Sequence, residues 1–226
     1  MNLEKCFPDQ PNQSMAYTFP NVGVVLDRLP NKLYNDLMKD IKIIQTNFED
    51  HEKYNHKLVG HIQKQFSMKS SIPLLNDYVV DLAIKHQNCF EMRYLQEVSN
   101  SQEYAAEFRL ESLWVNFQKK YEFNPPHIHT GVYSFVIWMK IPYDIEEEKK
   151  LFLDTSKEDN CPSNFNFYFS DILGKTHDQT VHIDKEKEGC ICLFPSTLTH
   201  SVNPFYTSDD YRISISGNVY LRLKLK

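Results

Sequence analysis

Glycine is scarce, with six residues in 226 and no cluster among them, so no Gly-rich loop is available to cradle a phosphate. Cysteine is equally uninformative. Cys6, Cys89, Cys161, Cys190 and Cys192 are odd in number and show no Cys-x-x-Cys spacing, which argues against a disulfide framework or a zinc knuckle and predicts reduced thiols in a cytosolic protein. There is no surplus of positive charge: the formal net charge is -5, and the lysines are scattered among acids. The composition therefore offers no electrostatic footprint for nucleic acid or anionic lipid, and a small polar or cationic partner is easier to accommodate. Long hydrophobic runs are missing too. The most apolar stretch, "VYSFVIWMKIPY", is too short to span a bilayer, and the opening "MNLEKCFPDQPNQ" lacks the apolar region of a signal peptide. The expectation is a soluble, cytoplasmic chain with no membrane partner. Ser196, which follows Pro195, lacks the Gly-x-Ser-x-Gly setting of a hydrolase elbow.

What is present is the patterning of a folded protein long enough to bury one sizeable core. Between residues 30 and 90 the apolar positions have helical spacing. Leu33, Leu37, Ile41 and Ile44 recur at three- and four-residue steps after Pro30 and Asn31, and Leu75, Tyr78, Val79 and Leu82 do so after Pro73. His51, His56 and His61 fall at five-residue intervals, which do not share a helical face, so solvated histidines are expected. After about residue 107, β-branched and aromatic residues dominate. "SLWVNFQKK", "GVYSFVIWMKIPY", "NFNFYFSD", "QTVHID", "GCICLFP", "THSVNPF" and "RISISGNVYLRLKL" read as antiparallel strands separated by turn signals. The run "DIEEEKK" reads as a solvated connection. The fold class is thus mainly β (α+β): residues 1–106 form an N-terminal segment with packing helices, residues 107–226 a β-sandwich or barrel, and the two make one compact unit.

Chemistry concentrates in two places. In "NPPHIHTGVYSFVIW" His127 and His129 lie two apart, and on a strand both side chains point to the same face, the spacing that presents two ligands to one ion. By itself the pair fits either a metal site or two capped histidines. Further on, "LFPSTLTHSVNPF" brings His200, and "DDYRISISGN" sets Arg212, Ser214 and Ser216 in alternation with Ile213 and Ile215. A guanidinium turned inward needs an anionic partner, because an unpaired buried charge is costly. That partner is either an acid from elsewhere in the fold or an external carboxylate gripped by the fork.

In order and spacing, the His-x-His before a strand, the distant "FPSTLTH" and the Arg twelve residues beyond that His, followed by "ISIS", resemble the iron(II)- and 2-oxoglutarate-dependent dioxygenases. The stretches "LVGHIQKQFS", "LWVNFQKKYEFNPPHIHTGVYSFVIWMKIP" and "LFPSTLTHSVNP…RISISGNVYL" are similar in particular to a branch encoded by marine tailed phages. The resemblance implies a double-stranded β-helix, or jelly roll, over 107–226, with a helical N-terminal support. It implies Fe(II), 2-oxoglutarate and O2 as cofactors, and hydroxylation as the default outcome. Carried over position by position, His127 is the first iron ligand, His200 the distal one, and Arg212 the anchor of the co-substrate's far carboxylate, assisted by Ser214.

The departure is His129, which stands where the superfamily has Asp or Glu. Three arrangements follow. His129 completes a three-histidine site; or His129 is the first ligand and Gly131 occupies the acid's position, as in halogenating members; or an acid such as Asp184 reaches in from another strand. Two other functions stay open: a non-catalytic β-sandwich serving as a phage structural or binding protein, and a cupin-type three-histidine dioxygenase that uses no 2-oxoglutarate. The primary substrate is not legible.

Overall fold

A computed structural model describes residues 21–90, 92, 103–151 and 162–226. Two antiparallel sheets face each other. The larger has the order β1-β8-β5-β10-β3-β2 and the smaller β4-β9-β6-β7. The strands are β1 (Val25–Arg28), β2 (Lys64–Ser67), β3 (Tyr104–Gln118), β4 (Asn124–His127), β5 (Tyr133–Lys140), β6 (Phe165–Ser170), β7 (Thr176–Val181), β8 (Cys190–Pro195), β9 (Thr199–Val202) and β10 (Arg212–Leu225). This is the jelly roll expected from the sequence. Strands β1 and β2 come from the N-terminal part of the chain and form the two edges of the larger sheet, against β8 and β3 respectively.

Helices α1 (Asn31–Thr46) and α2 (Ile72–Cys89) cover the outer face of that sheet. Pro30 precedes α1 in an extended conformation and Pro73 sits in the first turn of α2, positions where proline's missing N–H costs nothing. Leu37, Ile41 and Ile44 from α1 and Leu75, Val79 and Leu82 from α2 are buried, as the spacing predicts. They meet Val115 and Phe117 of β3, Ile137 and Met139 of β5, and Ile213 and Ile215 of β10 in one apolar cluster. The Tyr34 hydroxyl donates to the Met139 carbonyl at 2.9 Å, fastening α1 to β5. Alternate residues of the same strands face the other way. Val136 and Trp138 join Phe165, Phe167, Phe194 and Phe205 in a second cluster.

One segment differs from its sequence reading. "DIEEEKK" forms a short helix, α3 (Ile145–Lys150), whose first turn is capped by Asp144 Oδ1 accepting from the Glu146 N–H at 2.8 Å. Glu147 and Lys150 make an exposed ion pair, as a solvated run should. Glu148 is buried instead. Its carboxylate accepts from the backbone N–H groups of Tyr206 and Thr207 and from the Thr207 hydroxyl. A buried carboxylate persists when hydrogen bonds satisfy it, and these bonds tie α3 to the loop between β9 and β10.

Candidate metal and co-substrate site

The smaller sheet builds the histidine cluster. β4 is an edge strand, and its register against β9 shifts between Asn124 and His127, so Pro125 and Pro126 sit at an edge and an irregularity, where proline's missing N–H is tolerated. Its register sets His127 directly opposite His200 of β9. His129 lies just beyond β4, and its backbone N–H donates at 2.9 Å to the carbonyl of Ser196, in the turn after β8. Ser196 in turn donates its hydroxyl to the Gly131 carbonyl at 2.5 Å and its N–H to the Val132 carbonyl at 3.0 Å. Two backbone bonds and one side chain thus fix the loop carrying His129. Gly131 has φ +93°, and a Cβ there would come within 2.8 Å of the Val219 carbonyl, so glycine is needed for both conformation and close approach.

The three imidazoles converge. Their ring centroids are 4.3 Å apart for His127 and His200, 4.9 Å for His127 and His129, and 5.0 Å for His129 and His200. One candidate ligating atom from each lies within 4.8 Å of the others. The Nδ1 of His127 meets the Pro125 carbonyl at 2.7 Å and that of His200 the Leu198 carbonyl at 2.9 Å. A carbonyl only accepts, so both Nδ1 atoms carry the proton and both Nε2 lone pairs are left for a metal. Phe165 stacks on His200 at 5.3 Å, and Trp114 packs against His129 at 5.6 Å.

Burial among these rings lowers all three pKa values. It pushes His200 down to about 3 and His129 to about 4, with the neighbouring His127 adding a smaller effect to each, and His127 itself is lowered. Three neutral imidazoles are the protonation state that metal binding requires. The donor set fits a first-row dication such as Fe(II).

No acid joins this cluster among the described residues. Asp184 is elsewhere: its Oδ1 accepts from the Glu186 N–H at 2.9 Å, capping the turn at Lys185–Lys187, and it borders a separate apolar groove with His182. Of the three arrangements read from the sequence, the fold brings together the three histidines.

Arg212 is buried at the far end of the same inner face, 3% exposed. All five of its N–H groups are used. Nε and Nη2 donate to Gln118 Oε1 at 3.0 and 2.7 Å; Nη1 donates to the Tyr143 hydroxyl at 3.0 Å and the Ser163 carbonyl at 2.6 Å; Nη2 also donates to the Asn203 carbonyl at 2.7 Å. Every acceptor is neutral, and no ion pair to Arg212 occurs among the described residues. A charge buried without a counter-ion fits an incoming carboxylate. Arg212 does not itself line the cleft that holds the histidines; Gln118, Ser214 and Ser216 do.

Between the triad and Arg212 runs a polar row. Arg212, Ser214, Ser216 and Asn218 of β10 pair with Gln118, Asn116, Trp114 and Ser112 of β3. Gln65 Nε2 donates to Asn116 Oδ1 at 2.8 Å, and Asn116 Nδ2 donates to the Ser214 hydroxyl at 3.1 Å. Free space beside the triad is about 40 Å³, enough for an ion and a few waters, so a larger molecule must move side chains of this row. On the other side of His129 a groove of about 400 Å³ opens to solvent, lined by Tyr54, Lys57, Ser112, Ile128, Asn218 and Tyr220 and sharing Leu58, Trp114 and His129 with the cleft. Sequence reasoning missed Gln118, Asn116 and Gln65. The signal was there in "WVNFQ", where two amides alternate with Val115 and Phe117.

The family model described as "Putative 2OG-Fe(II) oxygenase" matches residues 112–218, a span that runs from β3 through the triad to β10. Among solved structures, a Pseudomonas putida prolyl-4-hydroxylase has 14% identity and a TM-score of 0.51, over 87% of this chain and 91% of that one. A Trichoplax adhaerens prolyl hydroxylase, in complex with a hypoxia inducible factor peptide fragment, has 10% identity and a TM-score of 0.47, over 88% of this chain and 83% of that one. No curated sequence matches. The Pseudomonas likeness concerns the fold alone; the family match spans the three histidines and Arg212 and makes this stretch similar to the 2OG-Fe(II) oxygenases.

Proposed function

We propose that the protein is a hydroxylase in which His127, His129 and His200 hold Fe(II), and Arg212, with Ser214, receives the distal carboxylate of 2-oxoglutarate. The observation that carries this reading is the convergence of three neutral imidazoles, His200 buried and His127 and His129 half-buried, at one end of a polar row whose other end is a buried guanidinium without an acidic partner among the described residues. Iron with 2-oxoglutarate would supply the oxidising power: one atom of O2 goes to the substrate C–H bond and the other to succinate, with release of CO2.

The chain's own part is positional. The carbonyls of Pro125 and Leu198 keep Nε2 of His127 and His200 unprotonated. Phe165 and Phe194 pack against the His200 ring and Trp114 against that of His129, taking part of their surface from water. The groove bordered by Ser112, Asn218 and Tyr220 gives the primary substrate a route to the His129 side, opposite the Arg212 end. Lys57 lines that groove and, among the described residues, no carboxylate does, so a neutral or anionic substrate suits it better than a cationic one.

Anaerobic titration with Fe(II) and then 2-oxoglutarate tests the reading: the expected result is a visible charge-transfer band, with oxygen-dependent succinate release on admitting air. A metal-bound protein that shows neither, whatever the 2-oxoglutarate concentration, would discard it. One observation favours a second reading, a three-histidine dioxygenase that needs no 2-oxoglutarate, because the Arg212 fork already has neutral partners on every N–H. Oxygen consumption without succinate would mark that case.

A further inference from the structure

We propose that Gln118 is a specificity-determining residue of the co-substrate site, a neutral placeholder that occupies the carboxylate-binding edge of Arg212 and gives it up to a dicarboxylate. The inference rests on the 2-oxoglutarate reading above. It starts from which edge of the guanidinium each partner takes. Nε and Nη2 together form the side on which a carboxylate makes two parallel hydrogen bonds, and here both donate to the single atom Gln118 Oε1. The remaining donors go to the Tyr143 hydroxyl and to the carbonyls of Ser163 and Asn203. Those carbonyls belong to the backbone and do not swing away.

Gln118 does have that freedom, and it has the right address. It is the residue lining the histidine cleft that hydrogen-bonds to the guanidinium, and the β3–β10 register sets it directly opposite Arg212. A single bond, from its Nε2 to the Glu122 carbonyl at 2.6 Å, keeps the amide oxygen aimed at the cation. One neutral amide oxygen serving two N–H groups is a poor substitute for a carboxylate, which brings a full opposite charge and two oxygens for two parallel bonds. The rings of Phe205 and Tyr143, at 5.4 and 5.9 Å from the guanidinium carbon, complete a surrounding that is polarisable and, among the described residues, carries no negative charge. A diacid reaching from the triad would therefore displace Gln118 rather than the backbone carbonyls. A 2-oxo monoacid, lacking the second carboxylate, would leave the placeholder in place.

Two variants test this with binding alone as the readout, using anaerobic Fe(II)-loaded protein and calorimetric titration. Gln118→Glu supplies an internal anion that the co-substrate must compete with, and it is expected to weaken 2-oxoglutarate at least about tenfold while Fe(II) affinity and binding of the monoacid 2-oxovalerate stay near wild type. Gln118→Met keeps the shape without the acceptor, and 2-oxoglutarate should then bind at least as tightly as to wild type. Wild-type 2-oxoglutarate affinity in Gln118→Glu, or equal weakening in both variants, would overturn the proposal, because either outcome leaves Gln118 as packing alone. Should Gln118→Glu fail to fold, judged by loss of its melting transition, Gln118→Met decides: retained or tighter binding supports the placeholder and weaker binding refutes it. If wild type itself binds Fe(II) but no 2-oxoglutarate, the parent reading fails, an outcome distinct from either variant result.

Discussion

Strands β3 and β10 have two faces that do opposite things. Toward the helices, Val115, Phe117, Ile213 and Ile215 are buried in a continuous apolar cluster. Toward the smaller sheet, the intervening Asn116, Gln118, Arg212, Ser214 and Ser216 form the polar row that leads to the histidines. Period-two alternation therefore separates stability from chemistry at a resolution of one residue. The apolar face is held by burial, each full aliphatic or aromatic side chain contributing about 1.5–3 kcal/mol. The polar face gains little stability from its hydrogen bonds, and its histidines are desolvated without a charge to match them. Substitutions should thus sort by face rather than by position in the chain.

The largest expected effect is on the polar side. His200→Ala removes a proposed ligand whose Nδ1 meets the Leu198 carbonyl, and it should lower Fe(II) affinity by about 100-fold or more, beyond what losing a mere supporting partner costs, as read by anaerobic metal competition. The melting temperature of the metal-free protein should change far less than in the variant considered next. If His200→Ala instead unfolds the protein with metal affinity intact, the division between the faces is wrong. His129→Asp, which installs the acid that the resembling oxygenases carry at this position, should keep Fe(II) bound where His129→Ala does not.

On the apolar side, Phe117→Ala should cost about 3–5 kcal/mol of stability by denaturant unfolding, through lost burial and the cavity left behind. Phe117 is fully buried against Phe48, Phe66 and Tyr211, so little can collapse into the space. Fe(II) affinity of the fraction that remains folded should stay within a few-fold of wild type.

Proton linkage gives a third test. In the metal-free protein His129 and His200 are depressed to about 4 and about 3 from an ordinary 6.5, by burial first. The unfolded chain then binds more protons than the native one throughout that interval, so stability must rise with pH across it. The unfolding free energy should therefore be near its plateau above pH 6.5 and fall as pH drops from 6.5 toward 3. Buried His86, also lowered by desolvation, works in the same direction. The double variant His129→Gln/His200→Gln should flatten the slope, whereas a core variant such as Phe117→Leu should shift the whole curve without changing its shape.

These contrasts also show which parts of the molecule the sequence declares. The helices and strands were legible because their apolar residues keep one period over several turns or pleats, as in Leu37, Ile41 and Ile44. The histidines were legible because the two-residue step of His127 and His129 is itself a strand period. Pairing is another matter. That His127 faces His200 depends on the β4–β9 register, which no local pattern encodes. For Arg212 the sequence leaves open an acid of the fold or an external carboxylate; among the described residues its N–H groups meet four neutral groups, from β3, the loop after β5, and the segments beside β6 and β9. Each is unremarkable in isolation, so only the assembled fold could reveal them. Glu148 was hidden for the same reason: a run of charges looks solvated until a distant loop supplies three donors.

The smallest effects should come from the finest division, between the neighbours Ser214 and Ile215. Ile215→Val deletes one methylene from the helix side and should cost about 0.5–1.5 kcal/mol, with no change in binding of Fe(II) or 2-oxoglutarate. Ser214→Ala deletes a hydroxyl that accepts from Asn116 at 3.1 Å in the polar row. Its stability cost should be about 1 kcal/mol or less, because Asn116 Nδ2 retains the Ser216 hydroxyl within 3.4 Å as an alternative acceptor. Its binding cost should be real but modest, a few-fold in 2-oxoglutarate affinity, if the hydroxyl assists Arg212 in holding the diacid. Adjacent residues with reversed profiles, one felt in unfolding and the other in titration, would follow from the face each takes, since the two are neighbours on one strand and only Ser214 lines the histidine cleft. Matching profiles would instead mean that the polar row is part of the core, and that its side chains are kept for packing rather than for a ligand.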